Sequence, residues 1–487
     1  MKNLLKLALV IFMLVFSTQA CNDILEDPQP STSLSQEVSL QDPGAIRAIR
    51  ASMYSRLQSF TYTTRLFLGP EAMGDNLTNR EGSNRFLGLA NNNARAGMSP
   101  TAAYDDAYEL INDANILISG LGENALDDPD EQARFRGEAL ALRAFAMHNL
   151  VRALGFEPGA TPDVGDGQGF TLGIPIRLEP SLTLDIAEQE LPRAEVSAVY
   201  TQIKNDLNEA ISILGNVGAD NRVFITQAGA QAIKARVHLY ERDYPAAATE
   251  ASNALANTSA SLATADIVPS MFNEQAFAIH PEAIFLGVLQ TPSTEGLGVN
   301  DALNPYTETQ WVAQVPTVEV RGLYAPSDVR NDWFGVCDDQ GGTIGGCPTG
   351  EELKKWAGEL GSFADNLPFF RVAEMILIQA EAQLNTSGVT DAINTLNTLR
   401  AERGLSALDP ANFNEAQTLN EILDERRREF IGEGHRFFDL KRLERAISKD
   451  PNTGLSDIPF SDRRVLDDVP EGLIQDNPAL EQNPGYN

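Results

Sequence analysis

Histidine and cysteine are scarce in this chain of 487 residues, at four and three. That leaves little material for a zinc or iron–sulfur centre, which needs clustered imidazole and thiolate ligands. No GxSxG, HExxH, P-loop or Rossmann fingerprint occurs, so the common sequence signatures of hydrolysis, phosphoryl transfer and dinucleotide binding are missing. Lysine is rare too. Only eight of the 37 basic residues are Lys, the other 29 being Arg, against 68 acidic residues and a net charge of -31. A chain so short of positive charge cannot form the basic face by which proteins displace counterions from nucleic acid. Aromatic residues make up 7%, with three Trp, too few for a long aromatic groove. Beyond the first twenty residues no apolar run is long enough to cross a bilayer.

What is present is an ordinary globular composition, 43% hydrophobic and 22% charged, with ample material for a large core. The acidic residues are spread along the whole chain, which fits a solvated surface in a salty medium, where self-repulsion is screened. The N-terminus has the order of an export signal. Lys2 and Lys6 precede the apolar run Leu7–Phe16, and Ser17–Ala20 lead to Cys21. A Cys directly after a small residue at this point resembles a lipoprotein cleavage site, with Cys21 as the acylated N-terminus, although Thr18 and Gln19 stand where the usual box has an aliphatic and a small residue. The remaining Cys337 and Cys347 bracket a Gly-rich loop. In an exported protein such a pair is expected to form a disulfide.

The organisation follows as residues 1–20 signal, 21–44 tether and 45–487 body. The tether carries Pro28, Pro30 and Pro43. Helical periodicity is clear at Tyr104–Gly120, Glu131–Gly155, Glu195–Leu214, Gln227–Glu241, Ala246–Ala256, Phe370–Leu384 and Thr390–Glu402. Alanines at the expected crossings, such as Ala139, Ala144, Ala232, Ala235, Ala380 and Ala382, with short polar turns between helices, resemble tetratricopeptide units. Such units cannot bury a face alone and must stack. Three long insertions, Thr61–Pro100, Phe156–Pro192 and Asn257–Pro368, are rich in Gly, Pro and Asn and interrupt the pattern. The body thus divides into an N-terminal half of about 45–256, a loop-rich insertion of 257–368 and a C-terminal half of 369–487. The predicted class is mainly α, with tetratricopeptide-like pairs and large irregular loops.

The stretch ERRREFIGEGHRFFDLKR at Glu425–Arg442 is the most specific feature. Its helical, charge-rich run is broken by Gly432 and Gly434 and resumes with two aromatics. It resembles the C-terminal signature of the SusD/RagB family, nutrient-binding lipoproteins of the Bacteroidetes outer membrane. ALALRAFAMHNLVRALG at 139–155, GIPIRLEP at 173–180, ARVHLYERDYPAAATEA at 235–251, LPFFRVAEMILIQAEAQLN at 367–385 and DNPALEQNPGY at 476–486 resemble further family segments, in the family's order. Where family members often carry a Trp, this chain has Ala102, Ala103 and Tyr104. Asp23, Glu26 and Asp27, after Cys21, resemble the acidic surface-export signal of the phylum.

The resemblance implies capture of an oligosaccharide and its delivery to a TonB-dependent, SusC-like barrel, with no covalent chemistry, cofactor or metal. Capture of a peptide for the same machinery, or a helical scaffold that binds only proteins, are the other readings. Sugar binding needs aromatic faces for pyranose rings and planar polar groups for hydroxyls. Two loops offer them. GPEAMGDNLTNREGSNR at 69–85 carries Asp75, Asn76, Arg80 and Arg85, and NPYTETQWVAQ at 304–314 carries Tyr306, Gln310 and Trp311. Trp333 lies farther on. His435 and Asp439 stand four apart on a helix, a spacing open to a metal. In a block containing Glu425, Arg426, Arg428, Glu433 and Arg436, ion pairs between helices are the expected role.

Overall fold

The computed structural model describes residues 40–486 apart from 59–61, 81, 84, 91, 93–103, 123, 219, 289–302, 309–311, 338–346, 348, 357, 359–364 and 451–453. Cys21, the signal and nearly all of the tether lie outside the described residues. Among these residues the protein is mainly helical. The principal helices are α1 Pro43–Arg56, α2 Thr64–Met73, α3 Tyr104–Asn115, α4 Pro129–Leu154, α5 Val196–Val217, α6 Gln227–Tyr240, α7 Tyr244–Asn257, α8 Val372–Thr386, α9 Val389–Ala401, α10 Glu415–Glu429 and α11 Arg436–Arg442. None is long and apolar enough to cross a membrane.

Local chemistry explains where these helices start. Asp128 accepts from the backbone N–H of Asp130 and is followed by Pro129 in the first turn of α4. Thr226 caps α6 and Asp243 caps α7, each through its side-chain oxygen. Asn414 and Gln417 form a reciprocal capping box on α10, satisfying two backbone donors that the helix itself leaves unpaired. Helices α3 to α9 pack each against the next. Alanine permits that closeness: Ala139, Ala144, Ala232, Ala235, Ala247, Ala251, Ala380 and Ala382 are all fully buried. This is the stacked-pair architecture expected from the sequence.

The strands are short and come in antiparallel pairs: β1 Leu77–Asn79 with β3 Gln314–Pro316, β2 Ala283–Gly287 with β6 Leu367–Arg371, and β4 Phe334–Val336 with β5 Glu351–Leu353. The second pair corrects one sequence boundary. Phe370 belongs to β6, and α8 begins at Val372. The apolar run LPFF has no periodicity to separate a buried strand from a buried helix; its pairing with β2 decides. Cys337 and Cys347 form a disulfide with a Cα–Cα separation of 6.4 Å.

The core contains a large amount of buried charge. Arg371, on β6, donates to Glu282 and Glu429 at 2.8 and 2.9 Å and grips Glu433 at 2.6 and 3.0 Å. Arg403 reaches Glu282 at 2.7 Å and Glu429 at 2.9 Å. Arg330 reaches Glu429 at 2.9 Å, Glu425 at 2.7 Å and both oxygens of Asp328. Lys355 donates to Glu433 and to the carbonyls of Glu429 and Ile431, while Arg428 holds Glu425 at 2.6 Å. Five cations thus meet five carboxylates, each under a tenth exposed. Burial alone would raise the Glu429 carboxyl, but Arg403 and Arg371 outweigh it and hold the group well below the usual carboxylate range. Asp439 is bound by Arg426 and Arg442, and His435 stacks on Phe430 at 4.4 Å, so this pair serves ion pairing and packing.

Glu429 therefore joins β6, α10, the segment after α9 and the 3-10 turn Val329–Trp333. Replacing it by Gln leaves three buried guanidiniums short of a counter-charge. Glu429→Gln is expected to cost about 3–5 kcal/mol, read as a lower urea midpoint with an unchanged slope.

Candidate functional site

The two loops nominated from the sequence meet in space. Leu77, Thr78 and Asn79 pair with Pro316, Val315 and Gln314, and the Arg80 N–H donates to the Ala313 carbonyl at 2.9 Å. Thr317 closes the other end, its N–H donating to the Asn76 carbonyl and its hydroxyl to that of Asp75, each at 3.0 Å. Across the pair, Gln314 donates to the Leu68 carbonyl, and Phe86 meets Tyr306 edge-on at 5.2 Å. Segments some 230 residues apart become one platform.

The burial of the nominated side chains is uneven. Asp75 accepts both arms of Arg436, at 2.6 and 2.9 Å. Burial opposes its ionisation, yet Arg436 and Arg427 keep its carboxyl below the usual value. Asn76 accepts from Arg427 at 2.9 Å. Arg80 and Tyr306 are fully buried. Trp333 is 2% exposed, and its indole donates to the Val268 carbonyl at 3.1 Å; no ring face is left open to solvent. Asp75, Asn76, Arg80 and Tyr306 thus form the frame of the platform, while Trp333 packs in the core against Phe272. Arg85 is exposed, with Leu87 at 54% exposure beside it in sequence. Gln310 and Trp311 lie outside the described residues. Directly after Trp311, Val312 is held at φ 39° with its side chain fully buried. A β-branched residue in the left-handed region is strained, and such strain gathers at binding loops.

Beneath the platform lie groups whose titration is displaced. Glu71, near the end of α2, accepts from the Gly434 N–H at 3.0 Å. Burial pushes its carboxyl up to about 7, against the pull of the Gly432 and Gly434 amides. Gly434 has φ 77°, and a Cβ there would stand 2.1 Å from the Leu66 carbonyl oxygen, so only glycine lets the turn between α10 and α11 seat on α2. Lys449 donates to the Met73 carbonyl and to Asn92; burial draws it down to about 7 despite the attraction of Asp75.

A second surface was not nominated from the sequence. A groove of about 670 Å³ is lined by the outer face of α3, by the segment around Arg177 to Leu191, and by the C-terminal stretch near Asp476. Tyr104 and Tyr108 stand on it with ring centroids 4.5 Å apart. Tyr108 donates to the Pro175 carbonyl at 2.7 Å, and Asn477 to that of Leu191 at 3.0 Å, so the walls are tied together. The i, i+4 spacing of the two tyrosines was the available signal. The partners of Asp75 and Asn76 had none, because Arg427 and Arg436 lie more than 350 residues away. Among the described residues no group of three or more His, Cys, Asp or Glu could hold a metal ion.

Residues 32–239 match the family model described as starch-binding associating with outer membrane, and residues 359–486 match that of the SusD family. SusD-like protein P38 of Formosa agariphila is 28% identical, over 98% of this chain and 98% of its own. Among solved structures, a SusD superfamily protein of Bacteroides thetaiotaomicron superposes with a TM-score of 0.77 at 22% identity, covering 91% of this chain and 99% of its own. A laminarin-binding SusD-like protein does so with 0.71 at 22% identity, covering 91% and 100%.

Two measurements check this geometry. A carboxyl raised from 4.5 to about 7 on folding means the folded state holds the extra proton, so stability falls as pH rises through that window. Glu71→Gln should flatten the fall by roughly 3 kcal/mol, read from urea unfolding of both proteins at pH 5 and pH 8. Trp333→Ala should act as a core truncation costing about 3–5 kcal/mol, with ligand affinity of the folded fraction unchanged.

Proposed function

The chain belongs to the SusD family, and on that premise we propose that it captures an oligosaccharide at the cell surface and delivers it to a TonB-dependent barrel without covalent chemistry. The observation that carries this reading is the β1–β3 junction. It fuses a polar loop and an aromatic-bearing loop into one platform, with exposed Arg85 on the first and, in sequence, Gln310 and Trp311 on the second. The frame below is rigid, since Asp75 and Asn76 are clamped to Arg436 and Arg427. A preorganised frame lowers the ordering cost of binding. Sugar rings stack their C–H faces on an indole, and guanidinium and amide groups match hydroxyls in fixed geometry.

Cys21, acylated, would tether the body to the outer membrane through residues 22–44. The match to a family model described by association with that membrane supports this. The absence of familiar catalytic motifs supports a binder over an enzyme. The laminarin-binding protein of like fold makes laminarin a sensible first ligand.

Calorimetry of the mature body against neutral glycans, charged glycans and peptides tests the proposal. Saturable binding to one glycan class is expected, about ten-fold weaker in Trp311→Ala. Binding to peptides alone would overturn the carbohydrate assignment. For the partner, affinity purification from solubilised outer membranes should bring down a large barrel protein; its absence would remove the delivery step.

A further inference from the structure

A buried arginine outside the platform has no carboxylate partner among the described residues. Arg152, near the end of α4, is 4% exposed. It lies over the Phe438 ring at 4.1 Å, and among the described residues it makes one long hydrogen bond, 3.5 Å, to the Tyr240 hydroxyl. Its Nε has no hydrogen-bond partner among the described residues. The neighbouring charges are each matched: Arg236 with Glu374, Lys441 with Glu157, Arg426 with Asp439, and Arg442 with Glu381. Four carboxylates therefore pair with four of these five cations, and Arg152 makes no ion pair among the described residues. The histidines add no charge. Burial and the surrounding cations, Arg152 among them, hold His148 and His435 well below their usual value and keep them neutral.

Arg152 borders a small cavity of about 20 Å³, shared with Arg236, His435, Phe67, Phe369 and Glu433. A space of this size admits a single small guest. Glu433 does not supply the missing charge, because both of its oxygens are bound by Arg371 and one also by Lys355. A lone guanidinium taken out of water costs several kcal/mol unless an anion stands beside it.

We propose that this cavity binds one monovalent halide, chloride in physiological salt, as the counter-ion of Arg152. The anion accepts from Arg152 Nε, with Arg236 on the far side and aromatic rings closing the walls. Folding is then linked to chloride, as it is to any ligand bound only by the folded state.

Thermal unfolding of the mature body in sodium chloride and in sodium gluconate at equal ionic strength tests this, gluconate being too large for the cavity. Once chloride exceeds its dissociation constant, each ten-fold rise should increase the folding constant about ten-fold, with no such rise in gluconate. Arg152→Met should abolish the difference. Crystals grown in bromide should show an anomalous peak within hydrogen-bond reach of Arg152 Nε, a readout that stands even if the variant does not fold. Equal midpoints in the two salts, or a bromide map without that peak, would mean a water-filled cavity and overturn the proposal. So would a chloride effect that survives in Arg152→Met.

Discussion

The carboxylate of Glu429 is the point on which the rest of the structure depends. Three guanidiniums from three separate parts of the chain converge on it: Arg330, Arg371 and Arg403. Each of these also holds a second carboxylate, so the charges are tied into one network, which extends through Arg400 and Arg428 to Glu421. Buried ion pairs seldom add net stability over an apolar core, because desolvation offsets the attraction. What they add is a penalty for every wrong arrangement. A shift of β6 against α10 would strand whole charges in a low dielectric. The helical pairs use the same device on a smaller scale, with Arg143 on Asp206 between α4 and α5 and Arg236 on Glu374 between α6 and α8.

That constraint reaches the platform through the turn between α10 and α11. The carbonyls of Glu429 and Ile431 receive Lys355, Gly434 seats on α2 through Glu71, and Arg436 then clamps Asp75. Each contact uses the next few residues of the same signature. The charge-rich block is therefore a structural strut whose far end positions the binding loops. This also explains the contrast between inside and outside. The central cluster is balanced, five against five, while the acidic surplus of the chain lies toward solvent. A surplus inside would cost too much, and outside it is screened by salt.

The sequence made the helical pairs legible because alanine-rich crossings and polar turns are local signals with a fixed period. It also revealed the importance of Glu425–Arg442, since so many charges in one short block need partners. It misplaced the start of α8, where four apolar residues carry no period. It nominated Asp75, Asn76, Arg80, Tyr306 and Trp333 as groups that touch ligand. The structure buries Asn76, Arg80, Tyr306 and Trp333 and half-buries Asp75, because the groups that cover them come from distant parts of the chain, where no local signal reports them. The tyrosine pair at Tyr104 and Tyr108 escaped notice because nothing local says that the tail near Asp476 folds back to make a groove of that face.

By itself, then, the chain determined its class, its helices and caps, the family it resembles and the two loops that carry its polar and aromatic groups. These follow from period, capping chemistry and composition, all of which act over a few residues. Tertiary structure alone decided which arginine meets which carboxylate, that the loops around Asp75 and Gln314 join as strands, and that Arg152 has no carboxylate partner among the described residues. Those are facts about groups tens or hundreds of residues apart. Charge attraction is strong but carries no sequence address, so only the packed chain selects the partner.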